Sequence, residues 1–82
     1  MARAKIQMMR DVVAELKAEG RVWRISVNLI INSGRSVMRV EPAELVNAPD
    51  GVYELRYVFD GQSETRRVRV ERGDLLGERT ID

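Results

Sequence analysis

Residues 22–32, VWRISVNLIIN, form the longest run in the chain with the period of a β-strand, and every other segment has to be placed around it. Trp23, Ile25, Val27, Leu29 and Ile31 point to one side, and Arg24, Ser26, Asn28 and Ile30 to the other. That alternation is the mark of a half-buried strand, whose apolar side needs a cover. The segment before it offers one. Ile6, Met9, Val13 and Leu16 recur at the 3,4,3 spacing of a helical stripe, with Ala2 and Val12 beside it. Gly20 follows directly, where a left-handed helix cap would sit. The spacing therefore predicts a helix over residues 2–19, with Arg3, Lys5, Arg10, Glu15, Lys17 and Glu19 on its solvated surface.

After the first strand, Asn32-Ser33-Gly34-Arg35 reads as a hairpin turn. A two-residue loop at Ser33-Gly34 sets Leu29 opposite Met38 and Val27 opposite Val40 on the covered side, with Ile30 facing Val37 and Asn28 facing Arg39 on the other. Residues 41–51 form a connection, because Pro42 cannot donate to a ladder and Pro49-Asp50-Gly51 is a turn signal. Leu45 and Val46 are expected to plug one end of the core. Residues 52–59 alternate again, with Tyr53, Leu55, Tyr57 and Phe59 on one side. Asp60-Gly61 turns the chain into residues 65–71, where Val68 and Val70 face in and the arginines mark an edge strand. A two-residue loop pairs Val68 with Tyr53, and a four-residue loop pairs it with Leu55; both keep the faces correct.

The resulting fold class is α+β: an N-terminal helix packed on one face of a four-stranded antiparallel sheet made of two β-hairpins. The expected core is Trp23, Ile25, Val27, Leu29, Met38, Val40, Leu55, Tyr57 and Val68. Residues 1–77 form the domain, and residues 78–82 a frayed tail. A chain of 82 residues has room for one core only.

Histidine and cysteine are both absent, which removes the usual proton-transfer side chain, thiolate metal sites and disulfides. Ser26, Ser33, Ser36, Ser63, Thr65 and Thr80 have no histidine to activate them. Asp50 and Asp60 precede glycines in turns, where aspartate bonds locally to the backbone, and Glu41 and Glu44 flank Pro42 at the start of a helical turn. The six glycines are scattered, so no phosphate-cradling loop exists, and Arg72-Gly73-Asp74 is a three-residue string without extracellular context. These residues point to a protein that is not an enzyme and uses no cofactor or metal. No stretch approaches the roughly 20 apolar residues of a membrane span, and residues 1–20 lack the pattern of a secretory signal, so the chain reads as cytoplasmic.

What remains for function is the uncovered side of the sheet. Arg24, Asn28, Ile30, Val37, Arg39, Arg56, Val58, Arg67 and Arg69 are the candidate binding residues, mixing aliphatics with arginines. The chain holds twelve arginines but two lysines, and the arginine fork suits carboxylates, phosphates and aromatic faces. A small apolar centre with an arginine rim is the anatomy of a protein interface. The expected function is a small protein-binding module, an accessory or inhibitor of the kind phages and mobile elements encode, with a homodimer through the same face as a variant. The alternative is nucleic acid held by the arginines. A net charge of +1, and aromatics that all fall on the covered side, weigh against it. Replacing Leu29 with Ala is expected to lower stability by about 2–5 kcal/mol, as a centrally placed leucine does, and a thermal midpoint compared with wild type measures it.

Overall fold

Glu19 and Gly20 both adopt positive φ, 50° and 78°. Two such residues in succession make a type I′ turn, the connection whose twist matches two antiparallel strands. It joins β1, Met8–Ala18, to β2, Arg21–Ile31, and the two pair along their full length, from Met8↔Ile31 to Ala18↔Arg21. The computed structural model describes residues 8–32 and 36–77, and within them the protein is all-β, with no helix.

The helix expected over residues 2–19 is therefore replaced, from residue 8 onward, by a strand; residues 2–7 lie outside the described residues. The segment carries two periods at once, and Leu16 belongs to both. The helical stripe would have buried Met9 and Val13, which are 65% and 71% exposed. The period-two set Val12, Ala14, Leu16 and Ala18 packs inward instead, with Ala14 and Leu16 fully buried. A helix of this length is marginal alone, whereas the X-Gly turn offers every backbone group of the segment a partner on β2. Local helix propensity loses to that pairing.

β3, Val37–Pro42, pairs with β2, but with Leu29 opposite Val40 and Ile30 opposite Arg39. The register is two residues away from the one a tight turn at Ser33-Gly34 would impose; that turn falls outside the described residues. An irregularity between Ile30 and Ile31 sets Ile31 opposite Val37, so Val37 turns toward the core, and Met38, expected inside, is 48% exposed. Shifts of this kind re-aim side chains locally.

The connection 43–50 crosses one end of the sheet. Val46 is buried there as expected, while Leu45 stays exposed. β4, Gly51–Phe59, and β5, Gln62–Glu71, join through Asp60-Gly61, a second type I′ turn with φ of 56° and 79°. The two-residue loop selects the pairing of Val68 with Tyr53. A third turn of the same type, Arg72-Gly73, leads into β6, Asp74–Gly77, which pairs with Val68 to Glu71 of β5. β5 is thus not the edge strand expected from its charge. Gly73 meets two requirements: its φ is 82°, and an added Cβ would come within 3.3 Å of Leu45 and 3.5 Å of the Val46 carbonyl oxygen. The connection lies against this turn, with Val46 N donating to Gly73 O at 3.1 Å and Arg72 N donating to Asp50 Oδ1 at 3.1 Å.

The strand order is β3-β2-β1-β4-β5-β6, antiparallel throughout, and the sheet curls until β3 and β6 approach each other in a nearly closed barrel. Curling puts one side of every strand inside. The core accordingly holds Leu16, Val27, Leu29, Ile31, Leu55 and Val70, each with almost no exposure. Of the residues expected in the core, Ile25, Val27, Leu29, Val40, Leu55, Tyr57 and Val68 are buried and Trp23 is half-buried. Among the described residues no helix is long and apolar enough to cross a membrane. Strand and helix packing of residues 8–18 predict opposite outcomes for one pair of substitutions. Val13→Lys is expected to change stability by less than about 0.5 kcal/mol, as an exposed position does. Ala14→Lys, which buries an unpaired charge, is expected to cost about 3 kcal/mol or more. Urea denaturation of the two variants reads the difference.

Candidate functional site

In a two-residue hairpin the pair flanking the turn exchanges both ladder hydrogen bonds, and bonding then alternates along each strand. From the pairing of Phe59 with Gln62, residues Glu64, Arg66 and Val68 of β5 bond to β4, so Thr65 and Arg67 turn their backbone groups away from it. From the pairing of Glu71 with Asp74, Leu75 and Gly77 of β6 turn theirs away from β5. On the opposite edge, Ala43 N donates to Ser26 O at 2.9 Å, which assigns Arg39 and Glu41 to the β2 ladder and leaves Val40 and Pro42 facing the other way. Pro42 therefore sits where a missing N–H breaks no bond, as edge prolines do.

These edges, without a strand partner among the described residues, face each other across a wedge. β3 and β6 come within 8 Å at Cα without forming a ladder, whereas no Cα of β3 lies within 8 Å of one in β5. β6 pairs with Val68–Glu71 alone, so Gln62 to Arg67 have no strand beside them on that side among the described residues. The opening is a slot of about 470 Å³ lined by Met38, Arg39, Val40, Arg66, Arg67, Val68 and Gly77. One side chain bridges it: Arg66 Nη2 donates to the Val37 carbonyl oxygen at 2.8 Å, in place of a strand's N–H.

Arg66 also hydrogen-bonds the Tyr57 hydroxyl. Burial raises the Tyr57 pKa above the ordinary 10.0; the Arg66 charge and its hydrogen bond pull it down, and Glu64 adds to the rise. At the other end of the barrel, Trp23 stacks edge-on against Tyr53, with ring centroids 5.4 Å apart, and Arg21 lies over the Trp23 ring at 4.9 Å. The aromatics thus point inward, as the alternation of their strands requires.

The nine candidate binding residues do not form one face, because a curled sheet spreads them around the outside. Val37, Arg39 and Arg67 border the slot or its mouth. Arg24, Arg56 and Val58 lie elsewhere, around Glu15 and the exposed Val13. Asn28 sits between Asp11 and Glu41. Arg69 pairs with Glu71 at 3.8 Å on the far side of β5. Ile30, expected on an exposed apolar centre, is 5% exposed. It lies between Met9 and Arg39, apart from the main core cluster, so Ile30→Asp would report on stability and not on binding.

The outward arginines also face acids. Glu15 lies between Arg24 and Arg56 in the sheet, and Glu54 between Lys17 and Arg67. Opposite charges directly across a strand pair stabilise each other by about 0.2–1 kcal/mol. Sequence reasoning missed Arg66, Met38 and Gly77 as slot residues. Arg66 carried no distinguishing signal among the arginines of residues 65–71, and only Pro42, unable to donate, hinted that β3 was an edge. No protein-family model, characterised protein or solved structure matches the chain.

The raised Tyr57 pKa fixes a pH dependence. The folded state favours the neutral phenol, so the contribution is complete below pH 10.0 and is lost as pH rises through the raised value. Thermal midpoints measured across the alkaline range are expected to fall more steeply for wild type than for Tyr57→Phe.

Proposed function

We propose that the chain is a non-catalytic protein-binding module that takes an extended segment of a cytosolic partner into the slot between β3 and β5. The observation that carries this reading is backbone on both walls that has no strand partner among the described residues, with the walls more than 8 Å apart at Cα, while ladder neighbours are about 4.8 Å apart and a strand placed between two others separates them by about 9.6 Å. A paired edge strand is the recurrent way in which a sheet recognises a peptide, with main-chain hydrogen bonds supplying affinity. A sequence without histidine or cysteine supports action by occupancy, in the manner of an accessory or inhibitor protein. Nucleic acid is the weaker reading, because the outward arginines face acids and the aromatic rings point into the barrel.

Thr65 tests the reading. Its side chain is exposed and its N–H belongs to the slot side, so proline there removes a donor that β4 does not use. Eight-residue extended peptides selected against the full chain from a random library are expected to protect the amides of Val40, Thr65 and Arg67 from hydrogen exchange. Thr65→Pro is expected to abolish their binding while keeping the thermal midpoint of wild type. Selected peptides that protect none of these amides, or that bind Thr65→Pro unchanged, would refute it.

A further inference from the structure

Across the seam between β1 and β4, Glu15 lies opposite Arg56 and Lys17 opposite Glu54, with the buried leucines between them facing in and these four facing out. Carried one step further along the strands, the same register sets Val13 opposite Val58. Both line a surface groove of about 270 Å³, and they are 71% and 60% exposed. On its other side Val13 pairs with Ser26, and Val58 pairs with Ser63. An uncharged row, Ser26-Val13-Val58-Ser63, therefore crosses the outer face and reads the same from either end. The charged pairs of the seam stand beside it on one side only.

We infer that a second copy of the chain docks on this seam, through a two-fold axis that runs along it. Such an axis lays β1 of one copy over β4 of the other, so each pair across the seam within a copy recurs as a facing pair between copies. Val13 meets Val58, Glu15 meets Arg56 and Lys17 meets Glu54, all reciprocally, while the serines face each other at the margin. Aligned sheets pack about 10 Å apart, a gap that facing valines fill and that glutamate and arginine can span. An apolar centre beside charges of matched sign has the anatomy of an interface, and a second copy is the occupant because the seam presents both halves of every contact. One row further out, Asp11 would meet Asp60 of the second copy by the same rule, and that like-charged pair bounds the contact. Four strands and three outward rows cover roughly 400 Å², about half of what each partner buries in a standard interface, so the dimer dissociates on dilution. The six residues that meet across the axis do not line the slot.

Sedimentation equilibrium of the full chain at low salt, from micromolar to millimolar concentration, is expected to show a monomer–dimer equilibrium. Val13→Lys is expected to weaken it at least about tenfold while the thermal midpoint of the dilute protein stays that of wild type. A second variant inverts the row beside the valines: Arg24→Glu, Glu15→Arg and Arg56→Glu together keep opposite signs across the strands within a copy. It is expected to dimerise with itself as wild type does. Mixed dimers with fluorescently labelled wild type are expected to be absent, because like charges then face each other at both positions of the seam. Free mixing of the two proteins overturns the two-fold arrangement. A chain that stays monomeric at every concentration, or a dimer that Val13→Lys leaves intact, overturns the seam as the docking surface; if Thr65→Pro dissolves that dimer instead, the edge of β5 holds the second copy.

Discussion

The two halves of this sheet are joined through β1 and β4, and the closure of the barrel depends on that pairing. Three positions define it: Glu15 opposite Arg56, Leu16 opposite Leu55, and Lys17 opposite Glu54. The leucines, both with no exposure, meet inside, and the charged residues on either side of them meet outside with complementary sign. β1 is therefore bonded on both edges, to β2 along its whole length and to β4 near its end. Each half then winds outward as a meander, β1-β2-β3 and β4-β5-β6, until the two outermost strands face each other.

A barrel removes its edges only by completing the ladder. Among the described residues β6 covers Val68 to Glu71 of β5, and no strand lies beside Gln62 to Arg67 on that side. The exposed remainder is handled by three side-chain devices. Pro42 takes a donor away from one edge, Arg66 supplies a donor across the opening, and arginines on both walls keep the mouth charged. One guanidinium, that of Arg66, touches Tyr57 on one side and the slot on the other.

The outward face illustrates why a list of exposed arginines is a poor guide to function. Read along each strand, Arg24, Arg56 and Arg67 are cations set among other exposed residues. Read across strands, each has an acid opposite it. The neutralising partner comes from β1 for two of them, the segment that helical spacing had removed from the sheet. Once β1 is placed in the sheet, the outward arginines and acids fall opposite one another across the strands.

Alternation along a strand is a local property, and most of it was legible: the inward sets of β2, β4 and β5, the two-residue turn at Asp60-Gly61 as one of two options, and the burial of Val46 follow from residues near one another in the chain, whereas the burial of Ile30 and the exposure of Met38 do not. Where two local patterns coincide, local information cannot decide. Residues 8–18 fit a helix through Met9, Val13 and Leu16 and a strand through Val12, Ala14 and Leu16, and Glu19-Gly20 can end the first or turn the second. The choice fell to β2, whose backbone offers an eleven-residue ladder that an amphipathic helix would leave unsatisfied. The slot lies further still from local reading, since it is defined by the distance between β3 and β5, which no pattern within either strand records. Composition alone set what chemistry was unavailable; the curl of the sheet decided which strands became neighbours, because hydrogen bonds between strands are made in space and not along the chain.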